Sequence, residues 1–208
     1  MPERSQRFPG EARAALHAAI LDAAARLAVQ AGDREVRMAD IAAAVDISRQ
    51  TLYAEFGSKR RLLTAVMVRE TERLMVALDG VLARHPADIG AAVRAGCAFV
   101  LRRARGDALL KAILAGPAHQ ELLPLVTTEA APVVRVVAAA FVAHFARCAP
   151  HVDPARAELA ADTVARLIIT HVLLPERAPE LAAGAIAEAL GPYLTDLVPG
   201  EPRPAGEL

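Results

Sequence analysis

Four polar side chains stand in a row, Ser48-Arg49-Gln50-Thr51, with a phenol following at Tyr53 and an ammonium at Lys59. These residue types suit recognition rather than bond breaking. A guanidinium can donate two hydrogen bonds to guanine, and a carboxamide can pair with adenine across the major groove. Hydroxyls suit phosphates or base edges. A lysine in the first turn of a helix meets a phosphate together with backbone N–H groups that have no intrahelical partner. The plainer reading keeps Arg49 and Gln50 as solvated side chains that touch phosphate alone.

Such chemistry needs an element to present it. Residues 37–63 read RMADIAAAVDISRQTLYAEFGSKRRLL. Ile41, Ala42 and Val45 are spaced to bury one face of a short helix over 38–44, and Ile47 and Leu52 can bury against them from a second over 48–54. The turn between, Val45-Asp46-Ile47, has no bulky residue at its centre. Two short helices joined this tightly cross steeply, which is helix-turn-helix geometry. The N-terminal residues of the second helix are then the ones that reach base edges. A helix over 11–31, with Leu16, Ile20, Ala24, Leu27 and Ala28 on one face and Gly32 as its stop, precedes the pair. A long helix capped by Ser58 and running to about Arg84 follows it.

At this point the sequence resembles the TetR family of transcriptional regulators. The residues that carry the resemblance are Ile41-Ala42, Ile47-Ser48, Thr51-Leu52-Tyr53, Phe56, Ser58-Lys59 and Leu62-Leu63, at fixed spacing, and it covers about residues 13–65. The resemblance implies that Ser48, Arg49, Gln50 and Thr51 lie on the recognition helix. It implies that Tyr53 and Lys59 contact the phosphate backbone, and that Ile41, Leu52 and Phe56 are core. Arg37 stands where the family usually has Thr or Ser; it cannot cap a helix in the same way, but it can reach a phosphate. Asp46 stands at a turn position often held by glycine, and aspartate tolerates a left-handed backbone better than most residues.

The expected architecture is all-α: an N-terminal three-helix DNA-binding domain over 11–57 and a C-terminal domain of about six helices over 58–198, with loose tails at 1–10 and 199–208. The composition agrees, since Ala and Leu dominate a chain that is 54% hydrophobic and only 3% aromatic. Helices are expected near 88–104, 107–115, 118–129, 132–148, 154–174 and 179–197. The fifth of these has a strong start signal in Asp153-Pro154. Formal net charge is zero, which argues against a protein that coats DNA over its whole surface. Residues 1–61 hold ten basic and eight acidic side chains, so DNA binding must rest on the motif rather than on charge.

No phosphate loop, nucleophile elbow or dinucleotide fingerprint is present, so no enzyme activity, cofactor, metal site or catalytic residue is expected. Cys97 and Cys148 lie in apolar helical stretches and read as free thiols in a reducing cytoplasm. The apolar run Val133–Phe145 reads as too short for a membrane span. Arg102, Arg103 and Arg105 read as a solvated helix face.

The second domain is long, apolar and poor in aromatics, so its helices can enclose a cavity. The candidate lining is Met67, Cys97, Val100, Val137, Phe141, His144, Ile168 and His171. The plainer reading has these residues packed against one another. Because this set offers no charge cluster, the expected effector is an unknown, mostly apolar small molecule. A homodimer is expected through Ala157, Ala160, Ala161, Val164, Leu167, Ile168 and His171 of one helix and Leu181, Ala185, Ile186, Ala189, Leu190 and Tyr193 of the last. Operator double-stranded DNA is the expected partner, and a membrane is not. The alternative is a helical protein-interaction module without operator binding.

Overall fold

The computed structural model describes residues 7–31, 36–115, 124, 127–150 and 152–195. Over these residues it contains nine α-helices and no strand. They are α1 (Arg7–Ala31), α2 (Met38–Ala44), α3 (Arg49–Phe56), α4 (Lys59–Leu82), α5 (Ile89–Gly106), α6 (Ala108–Ala115), α7 (Ala131–Cys148), α8 (Pro154–Leu173) and α9 (Pro179–Thr195). The first helix begins four residues earlier than its apolar pattern indicates, so residues 7–10 are helix rather than tail. The rest of both expected tails, the stop at Gly32 and most of the expected helix over 118–129 lie outside the described residues.

The chain divides into two compact units, Met1–Arg69 with Ala108–Thr127, and Glu70–Asp107 with Thr128–Leu208. This differs from a single boundary after residue 57, and the reason is burial. The first unit packs Ile20, Leu21 and Ala24 of α1 with Met38, Ile41 and Ala42 of α2 and with Leu52 and Phe56 of α3. Leu62, Leu63 and Val66 of α4 and Leu109 of α6 complete that core. Each such side chain contributes roughly 1.5–3 kcal/mol when fully buried, which holds the start of α4 and α6 in this unit.

The second unit gathers Leu78 and Leu82 of α4, Val93, Cys97 and Val100 of α5, and Val137, Phe141 and Phe145 of α7. Val164 and Ile168 of α8 and Ala183 and Ile186 of α9 join them. Helix starts are capped where the sequence supplies a carboxylate. Asp88 accepts from the N–H of Ala91 at 2.8 Å, and Asp153, followed by Pro154, accepts from Ala155 at 3.2 Å. Two helical stretches, Gly10–Ala31 and Ala131–Cys148, are long and apolar enough to cross a membrane by length and composition. That corrects the reading of the second as too short. Both nonetheless bury apolar side chains in the cores just described.

The arginines of α5 stand on the solvated face expected of them, and two of them have partners there. Arg102 pairs with Glu180 at 2.9 Å, and that hydrogen bond holds the Glu180 carboxyl below its ordinary range. Arg105 donates to the carbonyl of Arg177 at 2.9 Å. Both remain exposed, as does Arg103, while reaching the α8–α9 connection or the start of α9.

Candidate nucleic-acid interface

The turn between α2 and α3 fixes everything downstream of it. Ile47 donates from its N–H to the carbonyl of Ala42 at 3.0 Å, and Asp46 donates to Ala43 at 3.3 Å. Those two bonds, with Asp46 at φ 54°, make a Schellman-type helix ending. The left-handed residue is an aspartate, which adopts this conformation at less cost than a β-branched side chain. Replacing Asp46 by Val is expected to destabilise the chain by about 1–2 kcal/mol in urea unfolding, whereas Asp46→Gly should be tolerated.

Immediately after that turn, Ser48 serves as the N-cap of α3. Its Oγ accepts from the N–H of Thr51 at 3.0 Å and is hydrogen-bonded to Thr51 Oγ1 at 2.8 Å. Leu52 and Phe56 face inward, while Ser48, Arg49, Gln50, Thr51 and Tyr53 are exposed. Sequence reasoning grouped Ser48 and Thr51 with the readers of DNA; here the two hydroxyls engage each other at the helix start. Arg49 and Gln50 present the longest side chains at the end of α3 that can enter a groove.

At its other end α3 stops on Gly57, whose φ of 73° favours glycine and whose N–H donates to the carbonyl of Tyr53 at 2.8 Å. Ser58 then accepts from the N–H of Arg61 at 3.2 Å, so α4 starts on a side-chain cap with Lys59 in its first turn. Arg37 sits at the N-cap position of α2 without a side-chain cap bond, in extended backbone, and is exposed.

Helix α1 braces this arrangement through residues that sequence reasoning missed. Arg69 of α4 donates to the carbonyl of Ala18 at 3.1 Å and pairs with Asp22 at 2.9 Å. His17 stacks on Phe56 with ring centroids 4.7 Å apart, and Arg13 pairs with Glu55 at 3.2 Å. Partners 39 or more positions apart leave no local signal in a sequence.

The residues expected to line a cavity separate into two sets. Cys97, Val100, Val137, Phe141 and Ile168 are buried in the second core, and His171 is half-buried. Met67 packs against the first core instead, because it follows Val66 on the stretch of α4 that faces α1. His144 is a buried polar side chain of the second unit, with its Nε2 3.5 Å from Cys148 Sγ. Burial lowers its pKa from the ordinary value of 6.5; Arg147 and His85 push the same way, and Asp79 opposes. The unfolded chain then binds a proton that the folded chain resists, so stability falls as pH drops through about 6.5 and levels off once the folded imidazole also titrates. His144→Gln should flatten that slope in urea titrations between about pH 5 and 8. Burial raises the free Cys97 thiol to about 12, while the free Cys148 is half-buried.

The expected dimer faces need correction too. Ala157, Ala160, Ala161, Val164, Ile168 and Ile186 are buried within the second unit, whereas Leu159 and Leu181 are 59% and 67% exposed. Helices that are apolar around most of their circumference do not reveal from sequence which side faces the chain's own core.

Comparison with known proteins agrees with this geometry. Residues 20–66 match the family described as bacterial regulatory proteins, tetR family, and residues 88–192 match the bacterial tetracyclin repressor, C-terminal domain. The HTH-type transcriptional regulator AlkX of Mycobacterium tuberculosis (strain ATCC 25618 / H37Rv) is 29% identical over 184 residues, covering 87% of this chain and 86% of that protein. An uncharacterized HTH-type regulator from the same strain is 32% identical over 180 residues, covering 85% and 84%. The crystal structure of the TetR family repressor AlkX from Dietzia sp. strain DQ12-45-1b superposes with a TM-score of 0.72 at 31% identity, covering 87% of this chain and 98% of that one. A Schellman turn, a serine-capped α3 with an exposed polar start, and matches across both units have one common explanation: the chain belongs to the TetR family and is a DNA-binding transcriptional regulator.

Proposed function

We propose that this regulator is a cytoplasmic repressor that binds a palindromic operator as a homodimer and is released by a mostly apolar small molecule. The observation that carries the DNA half is the exposed, serine-capped start of α3, with Arg49 and Gln50 at the positions that enter a major groove. Tyr53, Lys59 and Arg37 hold phosphates on either side, and Ser48 and Thr51 keep the helix start rigid. Two copies related by a two-fold axis place two α3 helices about one turn of DNA apart.

The dimer forms through the outward sides of α8 and α9, where Leu159 and Leu181 stand exposed. The effector enters the second unit among Cys97, Val100, Val137, Phe141, Ile168 and the half-buried His171, with neutral His144 as the polar group. An apolar effector is consistent with the Dietzia repressor, which is implicated in biodegradation of n-alkanes. Release requires only that the effector bind more tightly to a conformer whose α3 spacing no longer fits the operator, by a few kcal/mol.

The test is a variant series in gel shifts on the DNA flanking the protein's own gene. Tyr53→Ala and Lys59→Ala should weaken binding about equally on all sequences, with Lys59→Ala reducing the salt slope by about one unit. Arg49→Ala and Gln50→Ala should instead relax preference at particular base pairs, by about 1–3 kcal/mol each. Intact affinity in all four variants would overturn the DNA reading in favour of a helical protein-interaction module.

A further inference from the structure

Arg13 and His17 lie four residues apart on α1, hence on one side of that helix, and they engage consecutive residues of α3. The Nε of Arg13 lies 3.2 Å from Glu55 Oε2 and 3.2 Å from Oε1, and the His17 ring stacks on Phe56 at 25° between planes. Glu55 is the one carboxylate in the α3 sequence RQTLYAEF. Its side chain is 18% exposed, against 72% for Arg13. Glu55 is therefore half-buried beside an exposed arginine that is its compensating charge.

We propose that Arg13 is a positioning residue for operator recognition: it neutralises Glu55 and, with His17, fixes the last turn of α3 against α1. The inference rests on the DNA-binding reading above. The Debye length is about 10 Å at 0.1 M salt and lengthens at lower salt, and Glu55 follows Thr51 by four residues, so the two share one side of α3. A phosphate approached by that side of α3 therefore feels the carboxylate at low salt, and less as salt rises. Paired with Arg13, Glu55 adds little net field. Unpaired, it repels the phosphate backbone, and the last turn of α3 loses its charged link to α1.

The experiment uses the full chain and a duplex that the wild-type protein has selected from random-sequence DNA, with binding read by fluorescence anisotropy at several salt concentrations. Arg13→Ala should lower affinity by about three- to tenfold at low salt, with the deficit shrinking as salt rises. Glu55→Gln should bind at least as tightly as wild type. The double variant Arg13→Ala/Glu55→Gln should return to the Glu55→Gln level, and Arg13→Lys should retain most of the affinity. Rescue by the double variant is the result that a direct Arg13–phosphate contact or a merely structural arginine does not give. A double variant that stays as weak as Arg13→Ala overturns the proposal, as does an Arg13→Ala protein with wild-type affinity. Should Arg13→Ala unfold, the double variant and Arg13→Lys still decide. Failure of the wild type to select any duplex defeats the DNA reading itself, and this proposal falls with it.

Discussion

Replacing Leu159 and Leu181 together by glutamate is expected to give a folded monomer that has lost most of its operator affinity. The two leucines are 59% and 67% exposed, so their removal leaves the core of the second unit intact, and circular dichroism should show unchanged helicity. Leu159 shares its side of α8 with Thr163, Arg166 and Thr170, at steps of four, three and four residues. Leu181 shares its side of α9 with Ala185, Glu188 and Pro192 in the same steps. Two carboxylates placed in a self-complementary interface face their own copies across the two-fold axis, so each substitution acts twice. A dimer binds its second half-site as an intramolecular event, which raises avidity by a factor of about 10²–10⁴. Losing the dimer should therefore cost at least about 100-fold in operator affinity, with sedimentation showing one chain per particle. A double variant that stays dimeric would place the interface elsewhere.

The second large effect is expected at Phe141. Its ring is fully buried among α4, α5 and α7, and it fills the space above Gly96. A Cβ built on Gly96 would lie 3.2 Å from Phe141 Cε1 and Cζ and 2.9 Å from Leu82 Cδ2. No room is left there for another methyl group. Truncation to alanine removes the ring and leaves a void, costing about 3–5 kcal/mol. Gly96→Val alone should also destabilise, by about 1–3 kcal/mol, through overpacking. Combined, the two should cost less than the sum of their separate effects, because the valine enters the space the ring vacates. The Phe141→Ala void also tests the effector site: a small apolar probe such as benzene should raise the unfolding temperature of the variant more than that of the wild type. A loss below about 1 kcal/mol would show that Phe141 does not carry the packing assigned to it.

The contrast between these two regions shows what a sequence exposes and what it hides. The caps at Ser58 and Asp153 were legible because a hydroxyl or carboxylate bonds an N–H two or three residues away, whereas the cap at Ser48 was read as a DNA-contacting hydroxyl. Asp46 was legible through the family resemblance, which often has glycine at that turn position, together with the tolerance of aspartate for a left-handed backbone. The start of α3 was legible from the compact turn and the apolar spacing of Ile41, Ala42, Val45, Ile47 and Leu52. The division of the chain within α4 was not. Leu62, Leu63 and Val66 have the same residue types and helical spacing as Leu78 and Leu82, yet the two sets bury in different cores.

Nor does the apolar pattern of α8 separate residues packed within the chain from those available to a second copy. Ala160 and Leu159 are neighbours in sequence, and only the fold places one inside and the other outside. The bracing contacts of α1, Arg13 on Glu55 and His17 on Phe56, join positions 42 and 39 residues apart and carry no periodicity at all. Arg105 is similar: its partners are the backbone carbonyls of residues 175 and 177, which exist as a site only once α5 lies beside the α8–α9 connection.

The most direct test of the account is selection from random-sequence duplex DNA by the full-length wild-type protein, followed by sequencing of the bound pool. The account predicts enrichment of an inverted repeat whose half-sites are centred about one helical turn apart, 10–10.5 base pairs, or a multiple of it. The enriched half-site should change at defined positions when the selection is repeated with Gln50→Ala. A pool with no enriched sequence, or one whose preferences ignore Arg49 and Gln50 alike, would contradict it.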